Sequence, residues 1–392
     1  MKAEKKKILI FVLKFPVITE TFIEREISKL ADSKKLDVVV LSLKRGEGVL
    51  SEDLKNKVFY RRLSLPYCFK AATRPWRIFG FIPFFSRPFL LLKSLGYAEV
   101  FREYKADLIY THFMSAPSTI ALIASKILGV PFVVSAHAKD VFVDAQYISQ
   151  KVKVAKFVSV CNKHAFEYIK KKSGLHNTKN VYLLNHGLDF KKLLLIKTSA
   201  LKIPGKVMIF NNGRFEEKKG QKYLIEASKL LTERKIPHII YILGGGGSLY
   251  AKILKQIERE HLEENVKILG GGKGIPFEEV TKYYKSADLF VFPSIETKEG
   301  DVDGVANTLF EAAAFKLPIV ATNAGSTCDF IENEKTGLII KQKSSKDIAD
   351  AVERLVKDGK FAKKLAENAC KKAHEVFDLD KNIKKLEGYL CE

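Results

Sequence analysis

The stretch Asp303-Gly-Val-Ala-Asn-Thr-Leu-Phe-Glu311 is followed by Ala312–Ala314 and then by Pro318-Ile-Val-Ala-Thr322. A glycine and small residues come first, an apolar helical pattern comes next, and the last segment is a short β-branched run. This order predicts a turn, a helix and a buried strand in succession. Such a unit is typical of α/β domains with parallel sheets.

The start of that predicted helix favours an anionic ligand, because its first N–H groups have no partner within the helix and the helix dipole adds positive charge. A carboxylate further along, such as Glu311, does not suit phosphate. It does accept hydrogen bonds from sugar hydroxyls. Backbone amides that can bind a diphosphate, together with carboxylates that can bind sugar hydroxyls, indicate a nucleotide-sugar pocket.

Length and composition are those of a globular protein with more than one domain. The chain has 392 residues, 46% of them hydrophobic, and a mean hydropathy of −0.05. A chain of this length usually divides into two cores. The five cysteines are scattered and form no Cys-x-x-Cys pair, so the sequence predicts no disulfide framework and no zinc site, and a cytoplasmic location fits best.

The amino-terminal run Lys5-Lys-Lys-Ile-Leu-Ile-Phe-Val-Leu13 resembles a short signal peptide. Lys14 and Pro16 interrupt the apolar run early, and no small-residue cleavage site follows. We therefore interpret it as a first buried strand.

Apolar β-branched runs alternate with amphipathic runs along the whole chain, and several runs are continuously hydrophobic, as in strands covered on both faces. The predicted strands are Ile8–Leu13, Val38–Leu43, Leu108–Thr111, Phe132–Ala136, Lys156–Val160, Val181–Leu184, Val207–Asn211, His238–Leu243, Val266–Leu269, Leu289–Pro293, Ile319–Ala321 and Gly337–Ile340. The predicted helices include Thr21–Ala31, Pro117–Leu128, Lys163–Lys171, Gln221–Thr232, Tyr250–His261, Phe277–Ser286, Thr308–Phe315 and Ser345–Lys357. The alternation predicts doubly wound α/β domains.

A polar segment that ends in Pro204-Gly205 separates two such domains. We predict a first domain over residues 1–195 and a second over 205–375, with a C-terminal helix at about 376–392 that can pack back on the first. Ligands of such domains bind at the carboxyl ends of the strands, so the sequence predicts an active site in a cleft between the domains.

The positive charge is concentrated in the first half. The whole chain has a net charge of +22, and residues 1–195 hold 34 Lys and Arg against 16 Asp and Glu. Such asymmetry indicates an anionic partner, either nucleic acid or an acidic membrane surface. The alternative is a lysine-rich composition that places Lys on solvated faces.

Residues 66–97 interleave aromatic and basic side chains. Pro83, Arg87, Pro88 and Lys93 are incompatible with a single clean transmembrane span. A membrane-surface segment fits, with aromatics at the interface and Arg or Lys on headgroups. A buried helix with an irregular start is the alternative.

The segment Asn211-Asn-Gly-Arg-Phe-Glu-Glu-Lys-Lys-Gly220 follows the first strand of the second half. It places Arg214 and Lys219 in one loop before a helix. Arg214 can hold a diphosphate through two hydrogen bonds, and Lys219 adds a point charge. These cations would stabilise the charge of a departing nucleoside diphosphate.

Two glycine-rich segments follow later strands. Leu243-Gly-Gly-Gly-Gly-Ser248 is a weak phosphate-loop signal, and a flexible turn explains it equally well. In Leu269-Gly-Gly-Gly-Lys-Gly-Ile-Pro-Phe277, the backbone around Lys273 and Ile275 could pair with the edge of a nucleobase, or the segment is a plain loop.

In the first half, polar residues follow three predicted strands. His137, within Ser135-Ala-His-Ala-Lys-Asp140, lies where a strand end would direct it into the cleft. His112 closes the preceding strand in the same way. In Phe15-Pro-Val-Ile-Thr-Glu-Thr-Phe22, Thr19 can cap the first helix and Glu20 can face the cleft.

These motifs together resemble the retaining, nucleotide-sugar-dependent glycosyltransferases of family 4, which have the GT-B fold of two Rossmann-like domains. The second half carries the resemblance in Gly213-Arg214, Lys219-Gly220, Ala287–Ser294, Glu311-Ala312 and, at the domain junction, Asn185–Asp189. The first half is similar to the colanic-acid-type exopolysaccharide enzymes in Phe15–Ile23, Thr111–Phe113 and Ala136–Asp140. The resemblance covers essentially the whole chain.

The resemblance implies a role for each matching position. Gly213, Arg214 and Lys219 would bind the donor diphosphate, and Glu311 would hold the ribose hydroxyls. The donor sugar would contact Asp303, the amides of Gly304, Val305, Ala306, Asn307 and Thr308, and His137. The family usually has Glu where this chain has Asp303, whose carboxylate is one methylene shorter; Glu296 and Glu299 are nearby alternatives.

The predicted function is therefore transfer of a hexose from a UDP- or GDP-linked donor to a saccharide or lipid-linked saccharide, with retention. The sequence has no His pair at ligand spacing, so we expect chemistry that needs no metal and no cofactor. A non-catalytic module for nucleic acid or another anionic polymer is the alternative, but no nucleic-acid-binding signature supports it. A nicotinamide dehydrogenase lacks its glycine fingerprint.

Overall fold

The structure of the protein is a computed structural model that describes residues 4–17, 20–63, 88–137, 139–175, 178–201 and 203–392. The chain divides into two compact units. The first comprises Met1–Gly187 and Leu379–Glu392, and the second comprises Leu188–Asp378. Residues 66–87 of the predicted membrane-surface segment at 66–97 lie outside the described residues, and so does Thr19.

The first unit is built on a parallel sheet in which the described residues form seven strands. Their order is β3-β2-β1-β4-β5-β6-β7, so the chain leaves β1 in one direction and resumes on its other side at β4. The strands are β1 Lys6–Phe15, β2 Leu36–Arg45, β3 Val58–Tyr60, β4 Leu108–His112, β5 Phe132–Ala136, β6 Phe157–Val160 and β7 Val181–Leu183.

Helices cover both faces of this sheet, which explains why its central strands are apolar throughout. The helices are Thr21–Ala31, Pro88–Tyr104, Ala116–Leu128, Lys139–Phe142, Ile148–Val154, Lys163–Ser173 and Leu379–Cys391, with a 3₁₀ turn at Glu52–Leu54. Among the helices that the structure describes, none combines the length and apolarity needed to cross a bilayer.

The helix Leu379–Cys391 belongs to the first unit although it is far from it in sequence. Its Leu386 and Leu390 are buried in the same core cluster as β1 and β2. The Tyr389 ring stacks on Tyr182 of β7 with centroids 4.4 Å apart. The β1 strand therefore shares its core with residues that follow the whole second unit.

The second unit contains a second parallel sheet, with six strands among its described residues. Their order is β10-β9-β8-β11-β12-β13. The strands are β8 Val207–Asn212, β9 His238–Leu243, β10 Val266–Leu269, β11 Leu289–Phe292, β12 Ile319–Thr322 and β13 Leu338–Ile340.

Helices again flank the sheet. They are Phe190–Leu195, Gln221–Glu233, Tyr250–Arg259, Phe277–Ser286, Asn307–Ala314, Thr327–Phe330, Ser345–Lys357 and Gly359–Val376, with 3₁₀ turns at Glu217–Lys219 and Gly270–Gly272. The first of these helices places the boundary between the units earlier than the predicted one at residue 195. Phe190 and Leu193 are buried in a core cluster of the second unit together with Phe377, so the division falls after Gly187.

The predicted fold class is confirmed: both units are doubly wound α/β domains with parallel sheets, the architecture of the GT-B fold. The twelve predicted strands match β1, β2 and β4–β13 to within two residues at every end. The sequence did not predict β3.

Candidate functional site

The predicted donor-site residues of the second unit lie at the point where the strand order of its sheet reverses. The chain proceeds from β8 outward to β10 and then returns to β11 on the other side of β8. The loops after β8 and β11 therefore diverge at the carboxyl edge, which is where α/β sheets bind ligands. Arg214 and Lys219 follow β8, and Asp303 follows β11.

Two predicted site residues, Lys219 and Asp303, form an ion pair. The Lys219 Nζ lies 2.9 Å from the Asp303 Oδ2. Their side chains are only 14% and 11% exposed, so water screens this pair weakly. The sequence did not identify Lys218, whose Nζ lies 2.9 Å from the Asp301 Oδ1 and 3.8 Å from the Asp303 Oδ1. The shorter carboxylate of Asp303 is thus held between two ammonium groups.

Gly220 allows the two loops to approach each other. Its φ of +63° lies in the left-handed region, and a Cβ at this residue would lie 1.9 Å from the Pro293 carbonyl oxygen. The neighbouring Ile295 N–H donates to the Lys218 carbonyl oxygen over 2.8 Å. The glycine therefore sets the position of Lys218 and Lys219 relative to the loop after β11.

We expect Gly220→Ala to destabilise the protein by at least about 1–3 kcal/mol, because it adds both backbone strain and a clash with a main-chain oxygen. Chemical denaturation of the full chain measures the change. Gly205→Ala is the matched control, since Gly205 also has a positive φ but a Cβ added there would have no neighbouring atom within 4 Å. Equal stabilities for the two variants would contradict the proposed close contact.

Arg214 is the more accessible of the two predicted cations. Its side chain is 43% exposed, and its Nη1 lies 2.9 Å from the Glu216 Oε1. The buried Gln221 donates from Nε2 to the carbonyl oxygens of Gly213 and Arg214, both at 3.0 Å. Gln221, which the sequence did not single out, therefore fixes the backbone that carries the guanidinium.

Glu311 is buried on the helix Asn307–Ala314 and is held by hydrogen bonds that the sequence did not predict. The Tyr284 hydroxyl donates to its Oε2 over 2.9 Å, and the Asn212 Nδ2 donates to that hydroxyl over 3.2 Å. Burial and the neighbouring Glu311 carboxylate raise the pKa of Tyr284 well above its usual value. Tyr284 therefore stays protonated and keeps Glu311 oriented.

The segment Gly304–Thr308, comprising Gly304, Val305, Ala306, Asn307 and Thr308, is half-buried and leads into this helix. Ala306 occupies the N-cap position, so no side chain caps the helix start. Within the described residues, the buried Thr308 Oγ1 has no hydrogen-bond partner. Amides and a hydroxyl are thus available to a ligand at this helix start.

The remaining predicted residues lie on the adjoining loops. Gly245 forms a β-bridge with Lys273, and the Gly246 N–H donates to the Gly272 carbonyl oxygen over 2.6 Å. Lys273 is exposed and Ile275 is half-buried. The glycine segments after β9 and β10 therefore form one surface next to the Arg214 loop. The alternative acids Glu296 and Glu299 are both exposed.

In the first unit, three histidines gather at the carboxyl ends of β4, β5 and β7. The His112 Nδ1 lies 3.5 Å from the His137 Nε2, and the rings of His137 and His186 have centroids 4.9 Å apart. Glu26 lies beside them, with Oε1 3.4 Å from the His112 Nε2 and Oε2 3.6 Å from the His186 Nδ1. The sequence predicted His112 and His137 as site residues but neither His186 nor Glu26.

Burial and charge separate the pKa values of these histidines. Burial lowers the pKa of His112 to about 4, and it lowers that of His137 well below its usual value. Burial also acts on His186, but Cys161 and Glu26 outweigh it and raise the pKa of His186 to about 10. Burial raises the pKa of Glu26, yet the hydrogen bond from His186 and the two nearby imidazoles lower it overall. These shifts favour a positive charge on His186 and a negative charge on Glu26.

The backbone at His137 is fixed by buried charges. The Asp140 carboxylate accepts from the His137 N–H at 3.0 Å and from the Met114 N–H at 2.7 Å. Burial raises the pKa of Asp140 to about 6 in spite of these bonds. The fully buried Lys151 donates from Nζ to the Met114 carbonyl oxygen over 2.7 Å. The ends of β4 and β5 are thereby tied together.

The two other candidates of the first unit differ in exposure. His112 is fully buried, so its imidazole contacts His137 and Glu26 and offers no surface to an acceptor. Glu20 is half-buried at the N-cap of the helix Thr21–Ala31, where its side chain makes no capping bond.

A set of potential metal ligands was not predicted from sequence spacing. His137, Cys161 and His186 place one ligand atom each within 4.8 Å of one another. They follow three different strands, so only the folded sheet brings them together.

Two family models match the chain. The model described as "Glycosyl transferases group 1" matches residues 196–372, and "Glycosyl transferase 4-like" matches residues 11–167. The matches coincide with the greater part of each unit and together include most of the residues described above.

Named proteins and solved structures are also similar to the chain. It is 24% identical to the putative colanic acid biosynthesis glycosyltransferase WcaL of Salmonella typhimurium, over 88% of this chain and 89% of that protein. It is 31% identical to the amylovoran biosynthesis glycosyltransferase AmsK of Erwinia amylovora, over 43% of this chain and 40% of that protein. The crystal structure of Anabaena HepE in complex with UDP and glucose has the same fold, with a TM-score of 0.72 and 18% identity, and the match covers 98% of this chain and 99% of that one.

Proposed function

The chain belongs to the group 1 glycosyltransferases, and from this premise we propose that it transfers a hexose from a nucleoside-diphosphate sugar to a saccharide or lipid-linked saccharide, with retention. A UDP- or GDP-linked donor is the co-substrate in this proposal. The observation that carries it is a pair of contacts between the loop after β8 and the region of the helix Asn307–Ala314, whose start is uncapped. Lys219 pairs with Asp303 just before this helix, and Tyr284 donates to Glu311 on the helix while accepting from Asn212 at the end of β8.

In the proposed donor complex, each group has a role set by its chemistry. Arg214 binds the diphosphate through its planar guanidinium, and Lys219 adds a compact charge. Glu311 accepts hydrogen bonds from the ribose hydroxyls. Backbone groups near Lys273 and Ile275 are proposed to meet the nucleobase edge. His137 stays our predicted contact for the transferred sugar.

The ion pair between Lys219 and Asp303 bears on catalysis. When the glycosidic bond breaks, negative charge develops on the leaving diphosphate. Cations already held in place stabilise that charge without having to reorganise. Asp303 keeps Lys219 in position and, in our proposal, exchanges that contact for a sugar hydroxyl when the donor binds. The departing diphosphate then helps to deprotonate the acceptor.

The acceptor and pathway are proposed from the relatives. WcaL and AmsK are named for the biosynthesis of colanic acid and amylovoran, so we propose a role in polysaccharide biosynthesis.

We also propose peripheral contact with an acidic membrane at the cytoplasmic face. In support, the helix Pro88–Tyr104 exposes 82% of Phe89 and 45% of Leu92 in the basic half of the chain. Vesicle flotation with and without anionic lipid tests the contact.

The experiment that tests the proposed function combines binding with turnover. A panel of nucleotide sugars is screened by thermal shift, because a ligand that binds only the folded state raises the unfolding midpoint. Release of nucleoside diphosphate is then measured with the best donor and candidate acceptors. Salt-sensitive binding to DNA or RNA, without any donor binding, would instead favour the non-catalytic alternative.

We expect transfer to proceed in the presence of EDTA, because charge on the diphosphate is offset by Arg214, Lys219 and helix amides rather than by a metal ion. Initial rates with excess EDTA should not fall below those without it. A loss of activity that Mg²⁺ or Mn²⁺ restores would contradict this prediction. A metal-dependent nucleotide-sugar enzyme assayed in the same buffer is the control for effective chelation.

A further inference from the structure

We propose that His137, Cys161 and His186 form a binding site for one thiophilic divalent cation, with Zn²⁺ as the best match. Their ligand atoms lie within 4.8 Å of one another at the carboxyl edge of the first sheet. Two nitrogens and one sulfur suit Zn²⁺ or Co²⁺, whereas Mg²⁺ and Ca²⁺ prefer oxygen ligands. Three protein ligands leave a fourth tetrahedral position for water.

The hydrogen bonding of the two imidazoles indicates which atoms would bind the cation. Among the residues that the structure describes, the buried His137 Nδ1 and His186 Nε2 have no hydrogen-bond partner. The other nitrogen of each ring is engaged, His137 Nε2 with His112 at 3.5 Å and His186 Nδ1 with Glu26 at 3.6 Å. Histidine ligands of metals have this arrangement, with one nitrogen for the metal and the other held by a neighbour.

A cation would also satisfy the orphaned nitrogens. A buried polar group without a partner is unfavourable, because nothing replaces the hydrogen bonds that it would make to water. Both unpartnered atoms belong to the same cluster, and the Cys161 sulfur is the third ligand atom there. Coordination of one ion would therefore relieve two unfavourable groups at once.

The electrostatic surroundings favour positive charge at this place. The Glu26 carboxylate lies beside the cluster, with its Oε2 3.6 Å from the His186 Nδ1. A carboxylate next to a ligand ring would attract a metal ion and hold the imidazole in the orientation for binding it. Binding should then release protons, as it does at other sites with imidazole and thiolate ligands.

Occupancy of the site would change the activity, and this consequence rests on the proposed function. His137 is our predicted contact for the transferred sugar, and a coordinated His137 could no longer serve it. The cation would thus inhibit transfer. This is the opposite of a cation requirement, in which EDTA would lower the rate.

Titration of the untagged full-length protein with Co²⁺, in a phosphine reductant, tests the binding directly. We expect one equivalent to produce a thiolate-to-cobalt charge-transfer band, which Zn²⁺ then removes. Cys161→Ser should abolish the band and weaken Zn²⁺ binding more than about tenfold in competition with a chromogenic chelator, since even loss of an outer-shell partner costs about 10–100-fold. Cys328→Ser, which alters an exposed cysteine of the second unit, is the matched control and should keep both properties.

A second measurement guards against loss of folding. Zn²⁺ should raise the unfolding midpoint of the wild type and of Cys328→Ser but not that of Cys161→Ser or His186→Gln. The proposal is overturned if the band persists in Cys161→Ser, if it disappears in Cys328→Ser, or if the wild type binds no cation. If Zn²⁺ binds through Cys161 yet leaves transfer unchanged, the binding site stands and the inhibitory role is refuted.

Discussion

Arg214→Ala should lower turnover by about 10²–10³-fold, equivalent to about 2.7–4 kcal/mol of lost transition-state stabilisation. In the proposed mechanism, the guanidinium offsets charge that develops on the leaving diphosphate, and no other group in its loop has the same planar pair of donors. Initial rates with saturating donor and acceptor measure the loss. The fold should remain intact, because the side chain is 43% exposed and its ion pair with Glu216 is at the surface.

Arg259→Ala is the control for this experiment. Arg259 is 74% exposed and pairs with Glu260 at the C-terminal end of the helix Tyr250–Arg259 of the same unit. Surface pairs of this kind contribute about 0–1 kcal/mol, so both variants should unfold near the wild-type midpoint. Near-normal turnover in folded Arg214→Ala would show that the diphosphate does not bind there.

Glu311→Gln should weaken donor binding by about 10–100-fold, because hydrogen bonds to a charged group contribute about 1.5–3 kcal/mol and the amide keeps only one acceptor oxygen. The replacement has nearly the same shape, and the Tyr284 hydroxyl retains an oxygen to donate to. Calorimetric titration with the donor identified by thermal shift measures the change. A nucleoside diphosphate that lacks both ribose hydroxyls should bind the variant and the wild type almost equally.

Two further variants separate binding from positioning. Glu264→Gln removes a carboxylate that is 90% exposed and should leave donor affinity unchanged. Tyr284→Phe keeps Glu311 but removes the hydroxyl that orients it, so an intermediate loss is expected. If Glu311→Gln is folded and binds the donor as tightly as the wild type, the ribose assignment is wrong.

The strands could be predicted because they are buried on both faces. A run such as Phe290–Phe292, with every side chain buried, has no polar residue to obscure it. The missed strand β3 is the opposite case. It has three residues at the edge of its sheet, and Phe59 and Tyr60 are exposed, so it shows neither length nor alternation.

Candidate site residues could be predicted only where they lie in a local sequence motif. Arg214 and Lys219 share one loop, and a glycine adjoins each of them, which made them recognisable. Their supporting partners come from elsewhere in the chain. Tyr284 precedes Glu311 by twenty-seven positions, and nothing in its own helix indicates that its hydroxyl reaches a carboxylate. Such partners are defined by the packing of helices against a sheet.

The histidine cluster was even harder to predict from the sequence. Glu26 lies on an amphipathic helix, where a charged residue usually indicates the solvent face, yet only 7% of it is exposed. Cys161 and His186 follow different strands and have no ligand-like spacing. Parallel strand order, which places consecutive strand ends side by side, is what makes neighbours of residues so distant in sequence.

The return of Leu379–Cys391 to the first unit has a consequence for biosynthesis. The second unit is one continuous segment, Leu188–Asp378, and can complete its core as soon as that segment has left the ribosome. The first unit must wait longer, because Leu386 and Leu390 emerge only after the second unit has been made. During translation, the half of the protein that is synthesised first is therefore the half that finishes folding last.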